Sequence, residues 1–403
     1  MKKDTSKLTA RSVFIALVVA FATFAGSYAQ FQLPPLQELV MANAGLSESQ
    51  YVSAFSAPML PGLVLSLVAG VLIDRYGFRK MIFLALVISF VGALGRSLCH
   101  SYFLFWIAMA LTGIAPTFVQ SNNAKIMSNY VPAEKLSFAI GIVMLGGSAA
   151  SFFGSATTHL FPGTTSAYVF SGILVAIAVV LWLSCIKKKD SASGSDAPEE
   201  KVSVREALRA VIRSKNVWRV GLCLVFVQSC FMSISSTGPS ALKELGYQPG
   251  TAGLLAGILS IGSPLGGLIG GPLAIRTGRP KLCMMVLAGI TIVAFPLFWA
   301  SESLFLCGLA FFLVGFCFGT CLITANSMPI RFPEVGQRYA GTAGGLINTI
   351  MMAGGFFLPS FVITPLSGGD YHRQFLICTA DLFIGFLCMF LIPSLKDKQD
   401  KKD

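Results

Sequence analysis

Polar side chains that could bind a solute recur at helical spacing inside long apolar stretches of this chain. Thr23, Ser27 and Gln30 follow one another at i, i+4 and i+7, which places them on one face of a helix. Similar stripes in three further stretches supply the candidates Gln120, Asn123, Gln228 and Thr324. Burying an amide or a hydroxyl without a hydrogen-bond partner costs free energy. The stripes therefore predict side chains that face a water-filled cavity and bind a polar solute there.

Two basic residues near the ends of these stretches could attract an anion. Arg96 lies near the end of the third stretch and Lys125 lies late in the fourth. Each could instead extend its charged end to an aqueous interface. The polar residues also have a structural alternative, because Ser and Thr bond the carbonyl one turn back and Gln or Asn can tie one helix to another.

Catalytic and cofactor chemistry lacks support in the sequence. The three histidines lie near the ends of apolar stretches, and no nucleophile, base or metal set has a usable spacing. The ten cysteines form no CxxC pair, and no phosphate-binding glycine loop occurs. The stripes contain no carboxylate for a proton relay, and Asp381 is expected to make a structural hydrogen bond. We therefore expect no enzyme, no cofactor and no metal site.

The elements that carry these residues must be membrane-spanning helices. The 403-residue chain is 54% hydrophobic, with a mean hydropathy of +0.73, which is more than a soluble core could bury. Each crossing of a bilayer needs about 20 apolar residues. Twelve stretches qualify, and we number them as spans 1 to 12: 13–35, 49–73, 81–97, 102–128, 136–157, 166–186, 218–242, 250–275, 282–300, 303–328, 339–364 and 373–393. The predicted fold class is an all-α membrane protein with twelve transmembrane helices.

The placement of charge predicts how these spans are oriented. With both termini in the cytoplasm, 27 of the 30 Lys and Arg residues fall on the cytoplasmic side, as the positive-inside rule requires. The net charge of +12 then reflects topology, and no nucleic-acid partner is expected. Residues 2–29 also resemble a signal peptide, but they fit as the start of span 1. We expect a monomeric, multi-pass protein of the inner (plasma) membrane, whose partners are the lipid bilayer and a small-molecule substrate.

A polar segment at 187–217 divides the chain into two groups of six spans, 1–186 and 218–403. Its first part is rich in Ser, Gly, Pro and Glu, which is typical of a linker. Its second part sets Val204, Leu208 and Val211 opposite basic residues, which predicts an amphipathic helix on the inner membrane surface. The alternative is a solvated, charged linker.

The two groups are related by an internal repeat. The stretch GVLIDRYGFRK at 70–80 matches GPLAIRTGRPK 201 positions later. The same shift relates two triplets of small residues: Gly62, Ser66 and Gly70, and Ser263, Gly267 and Gly271. Small residues four positions apart let membrane helices approach closely. The sequence therefore predicts two homologous six-helix bundles in the same orientation.

The repeated stretch also carries a resemblance to a known family. Its residues match the loop signature G-x-L-x-D-R-x-G-x-R-K at Gly70, Leu72, Asp74, Arg75, Gly77, Arg79 and Lys80. The chain thus resembles a transporter of the major facilitator superfamily, and 339–359, which contains the further candidate Asn348, resembles that family's eleventh helix. The resemblance implies a central cavity lined by helices 1, 4, 7 and 10, where Arg96 and the polar stripes would bind substrate.

The same resemblance implies a gate on the cytoplasmic side. Asp74 and Arg75 would form a charge relay with the inner end of span 11 and latch that side closed. The remaining gating candidates are Gly70, Gly77, Arg79, Arg276 and Gly278. The second copy has Ile275 where Asp74 stands, so we predict an asymmetric latch.

The expected function is movement of a small organic or inorganic anion by alternating access, through secondary active or facilitative transport. The segments 91–98 and 241–255 resemble the cyanate and nitroimidazole transporter branch, with oxalate/formate-type and nitrate-type relatives as its neighbours. Span 4 has Met109 where many proton antiporters carry an arginine, which speaks against drug/proton antiport. The alternatives are export of neutral or amphipathic compounds and a sensor that binds a solute without moving it.

Overall fold

The structure, a computed structural model, describes residues 10–132, 135–187 and 204–393. The chain forms two compact units, Met1–Ala197 and Pro198–Asp403. The boundary between them falls inside the polar segment that the sequence predicts as a linker.

The first unit contains spans 1 to 6, and some of them are divided into shorter helices. The helices, in chain order, are Ala10–Phe31, Gln37–Ala44, Glu48–Ser56, Leu60–Tyr76, Phe78–Gly95, Tyr102–Thr112, Ile114–Ser128, Leu136–Thr157 and Thr164–Cys185. Span 2 is the pair Glu48–Ser56 and Leu60–Tyr76, joined by a 3₁₀ turn at Ala57–Met59. Pro58 lies within this joint and Pro61 follows it, and each lacks the backbone N–H that a continuous helix needs.

The second unit contains spans 7 to 12 and one short helix before them. Its helices are Val204–Arg213, Lys215–Glu244, Pro249–Leu265, Gly271–Arg276, Pro280–Phe298, Leu304–Ser327, Gly336–Leu358, Thr364–Ser367 and Tyr371–Phe390. Single π turns at Gly266–Gly270 and Pro359–Ile363 continue spans 8 and 11. Across the described ranges, eleven helical segments are long and apolar enough to cross a membrane, and the divided span 2 supplies the twelfth.

The two units repeat the same helix pairings. Spans 1 and 5, 2 and 4, and 3 and 6 pack together in the first unit, as do spans 7 and 11, 8 and 10, and 9 and 12 in the second. The 201-residue shift holds at the level of single contacts. A Cβ on Gly70 would lie 3.9 Å from Oδ1 of Asn122, and a Cβ on Gly271 would lie 2.7 Å from Cγ2 of Ile323, which occupies the equivalent position. The internal repeat is therefore a repeat of structure.

The close contact between spans 8 and 10 includes residues of the predicted triplet and glycines beside them. Gly262 and Gly266 pack against the backbone of span 10, where an added Cβ would come within 2.4 Å and 2.1 Å of the Phe312 and Phe316 carbonyl oxygens. A Cβ on Gly267 would lie 3.2 Å from Cγ1 of Ile323 and 3.8 Å from the Gly319 carbonyl oxygen, and a Cβ on Gly319 would lie 1.8 Å from the carbonyl oxygen of Ser263. The triplet therefore lies in the contact, and Gly262 and Gly266 extend it.

The short helix Val204–Arg213 packs on the start of span 11. Val211 is fully buried, and the Tyr339 hydroxyl donates to Oε1 of Glu206 at 2.9 Å. The indole N–H of Trp218 donates to the Ile212 carbonyl at 2.8 Å, which ties the same helix to span 7. This part of the polar segment is therefore helical and belongs to the second unit, whereas its first part lies outside the described residues.

The carboxylate of Glu334 joins the loop before span 11 to the start of span 7. It accepts from the Ser214 hydroxyl and from Nδ2 of Asn216, each at 2.8 Å. Desolvation alone would raise the pKa of Glu334, but the hydrogen bond from its own backbone and those from Ser214 and Asn216 outweigh it and lower the pKa below its ordinary value.

Glu334→Gln should lower the thermal midpoint of the purified protein at neutral pH and have no effect in acid. A carboxylate whose pKa is depressed by folding contributes stability above its unfolded pKa, and the contribution disappears as the pH falls through the folded pKa. The shift is expected to be small because Glu334 is solvent-exposed. Thermal unfolding of both proteins between pH 3 and pH 8 measures it, and a difference that stays constant with pH would contradict this role.

Candidate functional site

Two predicted binding residues of the second unit are buried with an unsatisfied polar atom. Gln228 on span 7 is 3% exposed, and its Oε1 has no hydrogen-bond partner among the described residues. Thr324 on span 10 is fully buried, and its hydroxyl likewise has no partner there. Spans 7 and 10 pack directly, with the rings of Phe231 and Phe318 stacked at 4.4 Å. Because buried polar groups are normally paired, these two atoms are available to a ligand.

Among the predicted binding residues of the first unit, Asn123 on span 4 has a comparable atom. Nδ2 of Asn123 is buried and has no partner within the described part of the chain. The exposed Gln120 lies three residues earlier, and the half-buried Ser27 lies on span 1. These two spans approach closely, since a Cβ on Gly26 would come within 2.6 Å of Cδ of Pro116. The structure thus brings together the two helices that carry the predicted polar stripes of this unit.

Two other candidates make hydrogen bonds between helices. Nε2 of Gln30 donates to the Phe55 carbonyl at 2.9 Å, which ties span 1 to span 2. Oδ1 of Asn348 accepts from Nδ2 of Asn326 at 3.5 Å, a long contact between spans 11 and 10. For Gln30 the geometry therefore favours the helix tie that the sequence left open as its alternative.

Arg96 is buried, with a side chain only 1% exposed, and does not extend to an interface. Its guanidinium donates to the Ala29 carbonyl at 2.6 Å and to the Ser171 hydroxyl at 2.6 Å. The ring of Tyr168 lies 4.3 Å from the guanidinium carbon. Ser171 and Tyr168 are residues that sequence analysis missed, because nothing local to span 6 shows that an arginine 75 residues earlier would reach them.

The repeated loops have matching turns. Gly77 has a φ of 82° and Gly278 a φ of 65°, values that an L side chain rarely adopts. The guanidinium of Arg75 lies 5.2 Å from the ring of Tyr76, and Arg276 is exposed. The side chain of Asp74 lies outside the described residues. Both loops therefore require glycine at the turn, as the signature predicts.

Basic residues just after these turns cap the last helix of each unit. Arg79 donates to the Ile186 carbonyl at 2.5 Å and to the Leu183 carbonyl at 3.2 Å, at the end of span 6. Lys281 donates to the Phe390 and Ile392 carbonyls at 2.8 Å and 2.7 Å, at the end of span 12. Cations are favoured at helix C-termini because carbonyl groups are left unpaired there. The contacts found for Arg79 are therefore those of a helix cap.

Two six-span units with the same pairings, apolar outer surfaces and buried unpaired polar atoms define a membrane transporter built from two homologous halves. The chain belongs to the Major Facilitator Superfamily, whose family model matches residues 14–359. Members of this family are transporters and not enzymes, which agrees with the sequence-based expectation.

The curated relatives and a solved structure agree with this assignment. The chain is 26% identical to a nitrite extrusion protein of Bacillus subtilis, over 82% of each chain. It is also 26% identical to a probable nitrate/nitrite antiporter of Thermus thermophilus, over 86% of this chain and 84% of the relative. The fold matches a bacterial homologue of the human lysosomal transporter Spinster, with a TM-score of 0.79, 14% identity, and coverage of 95% and 97% of the two chains.

Proposed function

We propose that this protein moves a small organic or inorganic anion across the membrane by alternating access. The observation that carries the proposal is a pair of buried hydrogen-bond donors without a partner among the described residues, Nδ2 of Asn123 on span 4 and the hydroxyl of Thr324 on span 10. The amide N–H and the hydroxyl can both donate to an anion. Two relatives are named for nitrite or nitrate, which supports the same class of substrate. The cyanate and nitroimidazole branch stays a prediction.

Counterflow in proteoliposomes tests this function. The purified protein is reconstituted with unlabelled nitrite, nitrate, thiocyanate or a small carboxylate inside, and uptake of the labelled anion is followed. We expect the internal anion to accelerate uptake, with protein-free liposomes as the control. Exchange of neutral compounds only would favour the exporter alternative, and stabilisation by anions without exchange would favour the sensor.

We place the protein in the inner (plasma) membrane with both termini in the cytoplasm. The bias of Lys and Arg residues towards one side of the predicted spans supports this orientation. A reporter enzyme that is active only outside the cytoplasm, fused to the C-terminus, should be inactive. An active fusion would show that the C-terminus lies outside the cytoplasm and would contradict this orientation.

Asp74→Asn should slow counterflow about ten-fold, whereas Ile275→Asn should leave it nearly unchanged. The resemblance assigns Asp74 and Arg75 to a latch, and loss of a charge-assisted hydrogen bond of about 1.5 kcal/mol corresponds to roughly that factor. The repeat makes Ile275 the matched control, because it occupies the equivalent position in the second loop. Initial rates at equal amounts of reconstituted protein measure both effects. Equal effects of the two substitutions would contradict the predicted asymmetric latch.

A further inference from the structure

A cavity of about 270 Å³ opens beside Arg96, at the end of the first unit remote from the start of span 1. Four segments of this unit form it: the helix after span 1, the turn after span 3, the start of span 4 and the start of span 6. Its lining includes Asn43, Arg96, Cys99, His100, Thr164 and Tyr168. A water molecule takes up about 30 Å³ in the liquid, so the cavity has room for a small anion and several waters.

The guanidinium of Arg96 uses all its donors on neutral groups. Its five N–H groups reach the carbonyls of Ala29 and Ala93, Oε1 of Gln32, the Ser171 hydroxyl and the sulfur of Met109. No Asp or Glu within the described ranges forms an ion pair with it. These bonds fix the side chain in place but leave its charge uncompensated, and a buried charge without a counterion is costly.

Polar groups of the cavity wall complement this charge. Nδ2 of Asn43 donates to Oγ1 of Thr164 at 2.9 Å. The Thr164 hydroxyl is thereby an acceptor in that bond, and its own proton has no acceptor in the described part of the chain. The exposed His100 lies at the edge of the cavity. The wall therefore offers a fixed positive charge together with an unused donor.

We infer that this cavity binds a small carboxylate or oxoanion, which serves as the missing counterion of Arg96. Asn123, whose unpaired amide lies on span 4 of the same unit, is not among the residues that line the cavity. Use of the cavity as an entry site for substrate rests on the proposed function, but binding itself does not require transport.

The reactivity of the Cys99 thiol measures both the electrostatic field in this cavity and whether an anion occupies it. Cys99 is half-buried in the lining. The purified protein is treated with two methanethiosulfonate reagents of similar size, one carrying a sulfonate and the other a trimethylammonium group. With each rate normalised to that of a small thiol, we expect the anionic reagent to modify Cys99 about ten-fold faster. The Cys99→Ser variant gives the background from the other cysteines.

Arg96→Gln should bring the ratio of the two rates close to one. Burial raises the pKa of the Cys99 thiol, and the Arg96 charge lowers it in part, so this substitution slows both reagents, and the ratio is the quantity that reports the field. If Arg96→Gln does not fold, the ratio of the two rates in the unmodified protein and its protection by anions still test the proposal. Nitrate or formate, added at constant ionic strength, should protect Cys99 saturably.

Thr164→Val should weaken that protection several-fold, whereas Thr165→Val, at an exposed position of the same lining, should not. Equal rates for the two reagents in the unmodified protein, or protection that never saturates, would overturn the proposal. Saturable protection in a protein that shows no counterflow would support this site and count against the proposed function alone.

Discussion

Gln228→Met should abolish most anion transport while leaving the protein at least as stable as before. The Gln228 side chain is buried, and its Oε1 has no hydrogen-bond partner among the described residues, so the unliganded protein carries a desolvation cost of about 1–3 kcal/mol at this atom. Methionine has a similar volume and no polar group to satisfy. The substitution therefore removes a desolvation cost in the unliganded state. It also removes the amide N–H donors of Gln228, which are the groups of this side chain that can bind an anion.

Gln30→Met is the matched control for this experiment. Gln30 is also a buried glutamine of a predicted stripe, but its Nε2 donates to the Phe55 carbonyl. Its replacement removes that hydrogen bond, so we expect a decrease in the free energy of unfolding of about 1–2 kcal/mol. Thermal midpoints and counterflow rates of both variants separate the two roles. Destabilisation by Gln228→Met equal to that by Gln30→Met would show that Gln228 is a structural tie.

Gly319→Ala should prevent stable folding of the second unit. A Cβ at this position would lie 1.8 Å from the carbonyl oxygen of Ser263 and 3.0 Å from the backbone nitrogen of Gly267. The obstacle is backbone of span 8, which cannot rotate away as a side chain could. Spans 8 and 10 would have to separate along their length, at a cost of about 3 kcal/mol or more.

Gly345→Ala makes the same chemical change where space is available. A Cβ on Gly345, inside the helix of span 11, would meet no atom within 4 Å. Alanine favours a helix interior over glycine by about 0.5–1 kcal/mol, so this variant should match or exceed the original stability. The monodisperse fraction after detergent extraction and the thermal midpoint measure both. Equal behaviour of the two variants would mean that spans 8 and 10 do not pack as tightly as described.

Local patterns were sufficient to predict much of this fold. Each span is a run of apolar residues, and a bilayer imposes that requirement on every crossing helix separately. The loop signature and its repeat predicted equivalent glycines at Gly77 and Gly278, and both have a positive φ. The repeat predicted two homologous bundles, and the helix pairings of the two units correspond.

Patterns located the polar stripes but could not assign a role to each residue. Gln30 and Gln228 are both glutamines of a predicted stripe, yet one makes a helix tie and the other has an unpaired oxygen. The difference depends on whether a carbonyl from another helix lies within reach. That information is absent from the spacing of residues along one helix.

The sequence by itself therefore determined the membrane class, the number of spans, the repeat and the helices that carry polar residues, because each follows from periodicity within a short segment. Only the tertiary structure decided which polar atoms are paired, which further glycines join the contact of spans 8 and 10, and where Arg96 places its charge. Arg96 contacts Ala29 and Ser171, which are 67 and 75 residues away along the chain. Contacts of that range depend on how helices pack, and packing is a property of the whole unit.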